Sequence, residues 1–395
     1  METPLSSRDE DAKTLDLPRG LAVGPRNKAA WDQPAARRQG LRVLHRLHRY
    51  GMSFGAPRVL PLEVRADFRL HDLDTVRWYL GHPFHTALAV LKGERILLEH
   101  YAADFGPDAI HSIQSITKTS VHLIAGRLIE EGRLDPTTRV GHYLPEIGSG
   151  YFEWPVQDLL DMAVVNDYSE DFYDPAATVG LLEDAHGWRI IEGRPHVDIR
   201  AFLKGIEGPG RRAGARTLDY KTANTDVLAW ICELVSGVGL RDHYLHLVEA
   251  VGAESTVYLS TDRRGTPFAG GGLHMTLRDL ARYGLLLARG GVGVDNSRAD
   301  GPARVGSPAF RDATRAEYAA GTPSLLGRGN YRNFVETNGT WLGHNGYGGQ
   351  WLMVFPEQEI VVACFSAVCD DGGQDWAFLE RLATLGTDIA ALLAT

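Results

Sequence analysis

Two hairpin patterns near opposite ends of the chain constrain its fold more than any other feature of the sequence. The segment HTALAVLKGERILLEHYA begins at His85, and its apolar runs flank a Lys-Gly turn at residues 92–93. The segment QWLMVFPEQEIVVACFSA, residues 350–367, repeats that arrangement around a Pro-Glu-Gln turn at residues 356–358. We therefore predict that both regions contribute strands to one antiparallel sheet.

Each hairpin is followed by a segment with helical periodicity. The first hairpin precedes SITKTSVHLIAGRLIEEG, and the chain closes with DWAFLERLATLGTDIAALLA. Between them, helical segments such as NTDVLAWICELVSG alternate with long loops, and strand signals are few. The predicted fold class is α/β, in the α+β sense: an antiparallel β-sheet flanked by helices, with an inserted, mainly helical domain.

The expected domain organisation has three parts. Residues 1–60 are rich in Arg, Pro and Gly and have weak periodicity, which predicts an irregular N-terminal arm. Residues 61–134 together with 252–395 are expected to form the sheet-and-helix domain, and residues 135–251 the inserted helical domain. A cleft between two such domains is a common place for a small-molecule site, so we expect the active site there.

The composition is that of a globular protein without an obvious polyanion partner. Apolar residues make up 44% of the 395 residues and charged residues 23%, and the formal net charge is -9. Because the basic residues are scattered instead of forming a stripe, we expect no nucleic-acid partner. No apolar run reaches the roughly 20 residues of a membrane-spanning helix, so we expect no membrane partner.

The N-terminus and the cysteines indicate a cytoplasmic protein. The first residues, METPLSSRDEDAKTLDLPRG, lack the basic start and apolar run of a secretory signal. The three cysteines, Cys232, Cys364 and Cys369, form neither a CxxC pair nor a metal-ligand spacing, and they suit a reducing compartment. A homodimer is consistent with the sequence, which does not determine the oligomeric state.

A Ser-x-x-Lys pattern, Ser115 and Lys118, lies at the start of the first predicted helix. Alone the motif is weak, because it arises by chance about once in a chain of this size, and Ser115 could equally cap the helix. Residues i and i+3 on a first helical turn share a face, so the lysine amine can reach the serine hydroxyl. A partly desolvated position at a positive helix end favours the neutral amine, which could then take the serine proton.

Two further segments follow in an informative order. Tyr220, in LDYKTANTDVLAWICELVSG, precedes a helix that we predict to start near Ala223; by itself, a tyrosine in this position is usually a packing residue. The segment GHNGYGGQWLMVF, residues 343–355, places glycines before and within a strand. Such glycines mark a turn or allow a substrate to approach the backbone closely.

These three motifs, in this order, form the pattern of the serine β-lactamases and penicillin-binding proteins. The chain resembles that superfamily, within it the class C branch, and most closely the 6-aminohexanoate-dimer (nylon-oligomer) hydrolases and related carboxylesterases. The likeness runs from about Trp31 to the end and is carried further by the segments ANTDVLAW, EEGRLDP and RDLARYG. The resemblance implies a β-lactamase/transpeptidase-like fold and a reaction that needs neither a metal nor another cofactor.

The resemblance also implies roles for individual residues. Ser115 is then the acylated nucleophile, Lys118 the base that takes its proton, and Tyr220 the group that relays a proton to the leaving group. The backbone NH groups of Ser115 and Tyr347 would form the oxyanion hole, because Tyr347 directly follows the His-Asn-Gly triplet. The residues that the resemblance assigns to substrate binding are Phe172, Glu183, Thr222, His344, Asn345 and Gly346.

Two positions depart from the class C β-lactamase pattern. Thr222 offers a hydroxyl where those enzymes carry the amide of an asparagine, and the nylon-oligomer hydrolases also carry a hydroxyl there. His344 replaces the lysine that helps to bind the carboxylate of a β-lactam. Both differences weaken the interpretation of the chain as an antibiotic hydrolase.

Two other positions bear on amide substrates. Phe172 lies where the nylon-oligomer hydrolases carry a tyrosine, and a phenyl ring cannot donate a hydrogen bond to an amide leaving group. Glu183 lies where that group can use an aspartate to meet a substrate amine. A packed ring at Phe172 and a solvated acid at Glu183 are equally good explanations of these two residues.

We therefore predict a serine hydrolase that acts through an acyl-serine intermediate on a carboxylic ester or a small linear amide. One alternative is a transacylase, in which an amine replaces water as the acceptor of the acyl group; another is a β-lactamase. The alternative from a different class is a catalytically silent binding protein of the same fold. The presence of Ser115, Lys118 and Tyr220 together argues against a silent protein.

Overall fold

The structure is a computed structural model that describes residues 32–174, 176–210, 216–294, 303–324, 326–370 and 372–394. Its strands are β1 Gly51–Phe54, β2 Glu63–Val64, β3 His85–Lys92, β4 Arg95–Tyr101, β5 His111–Ser112, β6 Val257–Ser260, β7 Leu273–Met275, β8 Thr322–Pro323, β9 Asn330–Arg332, β10 Val335–Thr337, β11 Leu342–Gly346, β12 Gln350–Phe355 and β13 Ile360–Ser366. The first helices are α1 Pro34–Leu47, α2 Asp74–Leu80, α3 Lys118–Glu130, α4 Val140–Tyr143, α5 Ser149–Phe152, α6 Val156–Leu160 and α7 Val179–Ala185. The remaining helices are α8 Ile199–Lys204, α9 Thr222–Ser236, α10 Leu240–Val251, α11 Leu277–Ala288, α12 Pro308–Ala316 and α13 Trp376–Leu393.

One large sheet contains both predicted hairpins. Its order is β2-β4-β3-β13-β12-β11-β10-β9-β8, and β3 pairs antiparallel with β13 at its centre. The two ends of the chain are therefore joined by a continuous strand ladder, as the hairpin patterns predict. Strands β1, β6, β7 and β5 form a second, four-stranded sheet, which the sequence analysis does not anticipate because two of its strands have only two or three residues.

Helices cover both faces of the large sheet, and this confirms the predicted fold class. Successive side chains of β3 point to opposite faces, so that Leu88 and Val90 lie in one core while Ala87 and Ala89 lie in another. The C-terminal helix α13 packs in the first core, and α11 packs in the second. Each large apolar side chain that is buried in this way contributes roughly 1.5–3 kcal/mol.

The N-terminal region differs from the expectation of an irregular arm. Residues 34–47 form helix α1, whose Leu41, Leu44 and Leu47 are fully buried against the main core. The apolar pattern is hard to recognise because Arg37 is also buried, where it donates to the carbonyl oxygens of Val368 and Asp370. The part of the predicted arm from residue 1 to 31 lies outside the described residues.

The central region has the expected character. Residues 135–251, so far as the structure describes them, contain helices α4 to α10 joined by loops. The division of the chain into an arm, a sheet-and-helix domain and an inserted domain stays a prediction. In the described part of the chain, no helix combines the length and the apolar character that crossing a membrane would require.

Three histidines meet where α1 packs on the small sheet. The rings of His45 and His48 lie with their centroids 6.0 and 5.5 Å from that of His274, which is fully buried on β7. Desolvation lowers the pKa of His45 and of His48 to about 4 each, and it lowers the pKa of His274 further. All three imidazoles are therefore neutral in the folded protein at neutral pH.

We predict that the free energy of unfolding falls on acidification between about pH 6.5 and about pH 4. Above about pH 6.5 these histidines are neutral in both the folded and the unfolded state. Between about pH 6.5 and about pH 4 they bind protons only in the unfolded chain. Each of His45 and His48 then removes up to about 1.4 kcal/mol per pH unit. Denaturant unfolding at several pH values measures the slope, which should be smaller in the double variant His45→Gln/His48→Gln.

The matched control is His142→Gln, which alters an exposed histidine and should leave the slope as it is in the wild type. An equal slope in the double variant and the wild type would contradict the assignment.

Candidate active site

Ser115 lies in a short 3₁₀ turn, Gln114–Thr117, directly before α3. The backbone of Gln114 has φ +50, an uncommon conformation for a non-glycine residue, and its side-chain amide donates to Ser112 Oγ at 2.9 Å. The residue that caps α3 is Thr117, and no side chain makes a capping hydrogen bond there. Ser115 is therefore not the helix cap, and its hydroxyl is available to the cleft.

The Lys118 amine is fully buried and contacts three oxygen atoms from different parts of the chain. It lies 2.9 Å from Ser115 Oγ, 3.1 Å from Thr222 Oγ1 and 2.6 Å from the carbonyl oxygen of Gly270. Gly270 is needed here because a Cβ atom would lie 2.3 Å from Thr222 Cγ2. The glycine-rich segment AGGGLH, residues 269–274, therefore forms a bend at the cleft.

Desolvation lowers the pKa of Lys118 to about 8, although two acidic side chains oppose this change. Glu170 accepts hydrogen bonds from the Thr222 backbone NH and, at 2.5 Å, from its hydroxyl. Asp226 on α9 accepts from the Ala269 NH at 2.9 Å. Burial raises the pKa of Glu170, and it raises the pKa of Asp226 to about 8. A continuous hydrogen-bonded chain thus joins lysine, threonine and glutamate.

Tyr220 completes the group around the serine. Its ring centroid lies 5.0 Å from Lys118 Nζ. Desolvation raises the pKa of the Tyr220 phenol well above its ordinary value, with Glu170 adding to the rise and a hydrogen bond to Ser115 opposing it. The phenol therefore keeps its proton and can donate it to a neighbouring atom that becomes basic.

His344 is buried behind Tyr220 and carries no charge. Its Nε2 lies 3.0 Å from the Tyr331 hydroxyl, and its ring centroid lies 6.2 Å from that of Tyr220. Burial lowers the pKa of His344 to about 3. The imidazole is therefore neutral, whereas the β-lactamase pattern has a cationic lysine at this position.

Two adjoining cavities meet at Ser115. The first, here called the tyrosine-side cavity, has a volume of about 220 Å³ and is lined by Ser115, Glu170, Phe172, Leu218, Tyr220, Ser324, Tyr331, Glu336, Asn345, Tyr347, Gln374 and Trp376. The second, the helix-side cavity, has about 50 Å³ and a more apolar wall that consists of Gln114, Ser115, Glu170, Phe172, Val179, Leu182, Glu183, His186, Trp188, Thr222, Phe268, Gly270, Gly271 and Tyr347. A substrate with an acyl part and a leaving group could place one part in each.

Of the residues predicted for substrate binding, four line one or both of these cavities, and two do not: the four are Phe172, Glu183, Thr222 and Asn345, and the two are His344 and Gly346. Phe172 borders both cavities, with its ring 5.5 Å from that of Tyr347. Glu183 is buried instead of solvated, with its carboxylate 4.0 Å from an Arg189 nitrogen. Gly346 packs against the serine turn, where a Cβ atom would lie 2.6 Å from the Ile113 carbonyl oxygen.

Tyr347 also borders both cavities beside Ser115, at the place where the predicted oxyanion hole would lie. The assignment of the two backbone NH groups to that hole stays a prediction.

Four residues of the site were not singled out from the sequence. Glu170 lies in the same loop as Phe172, and Asp226 lies within the ANTDVLAW segment of α9, but neither belongs to a motif that predicts a role for it. Tyr331 and Glu336 belong to the hairpin of β9 and β10, which has no recognisable motif. Glu170 is the middle residue of a Ser-Glu-Asp sequence, residues 169–171, and this pair of acids is the one signal in the loop that could have indicated it.

Comparisons with known proteins agree with this geometry. A sequence profile described as Beta-lactamase matches residues 85–374. The chain is 33% identical over 322 residues to the 6-aminohexanoate-dimer hydrolase of Paenarthrobacter ureafaciens, which covers 80% of this chain and 81% of that protein.

Solved structures show the same fold. A Bacillus anthracis protein named for 6-aminohexanoate-dimer hydrolase activity has a TM-score of 0.76 at 20% identity, over 96% of this chain and 99% of its own. A D-stereospecific amidohydrolase from Streptomyces sp. has a TM-score of 0.54 at 18% identity, over 79% of this chain and 97% of its own.

We predict that kcat/KM for a p-nitrophenyl ester rises with pH and levels off above about pH 8, because the neutral Lys118 amine is the expected base. Glu170→Gln should move the midpoint to lower pH, because the carboxylate helps to hold a proton on Lys118. Initial rates from about pH 6 to about pH 10, corrected for spontaneous hydrolysis, measure both effects.

A matched control is Asp174→Asn, which removes an exposed acid from the same loop and should not move the midpoint. A midpoint that stays in place in Glu170→Gln would show that Lys118 is not the group that titrates.

Proposed function

The chain belongs to the Beta-lactamase family, and on this premise we propose that it is a serine hydrolase that acts through an acyl-serine intermediate on carboxylic esters and small linear amides. The observation that carries the proposal is the 2.9 Å contact between Ser115 Oγ and the buried Lys118 amine, whose pKa is lowered to about 8. An amine in this state can act as a base near neutral pH, and the serine is then activated as a nucleophile.

In the acylation step, Lys118 takes the hydroxyl proton and the Ser115 oxygen bonds to the substrate carbonyl carbon. Collapse of the tetrahedral intermediate breaks the bond between that carbon and the leaving oxygen or nitrogen. The leaving atom needs a proton as it departs, and the Tyr220 phenol, which holds its proton at ordinary pH, supplies it and is reprotonated from Lys118. The products of this step are the acyl-serine and a free alcohol or amine.

Deacylation uses the same groups with water in place of the serine. Water gives a proton to the neutral amine and attacks the acyl carbon, and the serine oxygen regains a proton when the carboxylic acid is released. Thr222 and Glu170 keep the amine in position through both steps, because the amine donates to the threonine hydroxyl and the hydroxyl donates to the carboxylate.

Several observations support linear substrates over β-lactams. The relative with 33% identity is named as a hydrolase of the 6-aminohexanoate dimer, which is a linear amide. The neutral His344 cannot pair with a β-lactam carboxylate, and the Thr222 hydroxyl is already used by Lys118 and Glu170. A β-lactamase is therefore the weaker alternative, and no particular contact favours a transacylase over a hydrolase.

The proposal extends to partners and location. The partner is a small-molecule ester or amide, without a role for nucleic acid or a membrane. A cytoplasmic location is supported by Cys232, Cys364 and Cys369, which are all free thiols. A homodimer remains part of the proposal, to be tested by the mass of the protein in solution.

We predict that Ser115→Ala lowers the turnover of short p-nitrophenyl esters by at least about 10³-fold, and that Lys118→Ala lowers it nearly as much. The double variant should be little worse than either single variant, because groups that act as one unit are not additive. Initial rates measure turnover, and intact-mass spectrometry after incubation with a fluorophosphonate measures whether the serine is labelled.

The matched control is Ser149→Ala, which alters an exposed serine at the start of α5 and should retain both turnover and labelling. Ready turnover or labelling in Ser115→Ala would refute the mechanism.

We also predict that the wild-type protein hydrolyses short-chain esters far better than the 6-aminohexanoate dimer. An amide nitrogen needs more assistance to leave than an alkoxide does, and Phe172, which borders both cavities, cannot add a hydrogen bond to the proton that Tyr220 supplies. Phe172→Tyr should raise the ratio of amide to ester turnover by about 10- to 100-fold. Parallel assays of both substrates give this ratio.

The matched control is Phe68→Tyr, at a ring that is 78% exposed and does not line either cavity, and it should leave the ratio unchanged. A wild-type protein with equal activity on both substrates, or an unchanged ratio in Phe172→Tyr, would contradict the role of the ring.

A further inference from the structure

The two cavities at Ser115 have different roles if the proposed mechanism holds. Tyr220, which supplies the proton to the leaving group, lines the tyrosine-side cavity and not the helix-side cavity. The leaving group must be in contact with that phenol when the bond breaks. The tyrosine-side cavity is therefore the place where the leaving group lies, and its wall selects among leaving groups.

A buried carboxylate, Glu336, forms part of this wall. The residue lies on β10 and is only 4% exposed. Its Oε1 accepts a hydrogen bond from Asn345 Nδ2 at 2.5 Å, and its Oε2 accepts one from the Ser324 hydroxyl at 2.8 Å. The Ser324 oxygen itself accepts from the Leu326 NH at 3.2 Å, so its hydrogen is free for Glu336.

These contacts favour the ionised form of Glu336. Both oxygens accept hydrogen bonds, which is the pattern of a carboxylate. Burial raises the pKa of Glu336, and the hydrogen bonds from Ser324 and Asn345 offset part of that rise. Each carboxylate oxygen can accept more than one hydrogen bond, so Glu336 retains acceptor capacity for a group in the cavity.

The rest of the wall has the same electrostatic character. Glu170 is a second acid in it, linked through Thr222 to the Lys118 amine behind Ser115, and none of the described residues that line the cavity is a lysine or an arginine. Arg37 lies behind the Tyr347 ring, where its guanidinium is used by Asp32 and two backbone carbonyl groups. The positive charge of Arg37 is therefore already balanced by groups outside the cavity.

Aromatic rings complete the wall. Phe172, Tyr220, Tyr331 and Trp376 all line the cavity. The faces of such rings attract cations, and a carboxylate close to several rings is a common arrangement for an ammonium group. The same wall is unfavourable for an anion, because a second negative charge near Glu336 and Glu170 would be repelled.

We propose that Glu336 is a specificity-determining residue that selects leaving groups bearing a positive charge over neutral leaving groups and over those that end in a carboxylate. The preferred substrates are then acyl esters of cationic amino alcohols and mono-acylated diamines. The inference rests on the proposed acyl-serine mechanism. A preference for cationic leaving groups would distinguish this chain from an enzyme that is specific for the 6-aminohexanoate dimer, because the leaving group of that compound ends in a carboxylate.

The test compares three butyryl esters with matched leaving groups: choline, its uncharged isostere 3,3-dimethylbutanol, and the anionic 4-hydroxybutanoate. In the wild-type protein, kcat/KM for the choline ester should exceed that for the neutral ester by at least about tenfold, with the anionic ester slowest. Glu336→Gln should lower the ratio of choline to neutral ester at least about fivefold, mainly through KM, while the aromatic rings and Glu170 leave a smaller preference for the cation. Glu336→Asp, which keeps the charge, should retain a preference for the cation.

Controls separate a failure of this inference from a failure of the mechanism. Glu357→Gln, at an exposed turn that does not line the cavity, should keep the wild-type ratio. Fluorophosphonate labelling of Ser115 in Glu336→Gln shows that the site is folded. Labelled, active wild-type protein without a charge preference, or a preference that is undiminished in Glu336→Gln, would overturn the role of Glu336 alone. An unlabelled wild-type protein that hydrolyses none of the esters would overturn the mechanism and this inference together.

Discussion

The burial of the Lys118 amine is the constraint on which the rest of the site depends. An ammonium group loses the favourable solvation of water when it is buried, so the pKa of Lys118 falls to about 8 and the neutral form becomes accessible near neutral pH. The donors of the amine must still be satisfied, and Ser115, Thr222 and Gly270 supply the oxygens. The serine turn, the start of α9 and the glycine-rich bend therefore have to meet at one atom, and the packing of the cleft follows from this requirement.

Two acids limit how far burial lowers the pKa of Lys118. Glu170 and Asp226 both favour the protonated form of Lys118, so the pKa of about 8 is a balance between burial, which lowers it, and two negative charges, which raise it. The pKa of Asp226 is itself raised to about 8 by burial, which means that this acid and the lysine take up protons over the same range of pH. The titration of the site therefore belongs to the coupled groups together and not to Lys118 alone.

The parts of this molecule that could be predicted from the sequence are those that local periodicity specifies. The hairpins, α3 and α13 follow from apolar patterns, and the i, i+3 spacing places Lys118 beside Ser115. Helix α1 was missed because a buried arginine interrupts its apolar face. The acids could not be predicted, because Glu170 meets Thr222 across 52 positions and only the folded chain brings them together.

The residues proposed for acylation and the residue proposed to select the charge of the substrate lie largely on different elements of the fold. In the proposed mechanism, acylation depends on the serine turn, α9 and the glycine-rich bend, whereas the charge of the tyrosine-side cavity depends mainly on Glu336 of β10. In the β-lactamase pattern a lysine at the position of His344 provides a positive charge for a substrate carboxylate. Here the imidazole is neutral and the adjacent strand β10 contributes an acid, so the proposed preference is for the opposite charge, while Ser115 Oγ lies 2.9 Å from the Lys118 amine. Glu170 belongs to both sets, because it contacts Thr222 and lines the cavity, so Glu336 is the position at which the charge of the wall can change without altering a contact of Lys118.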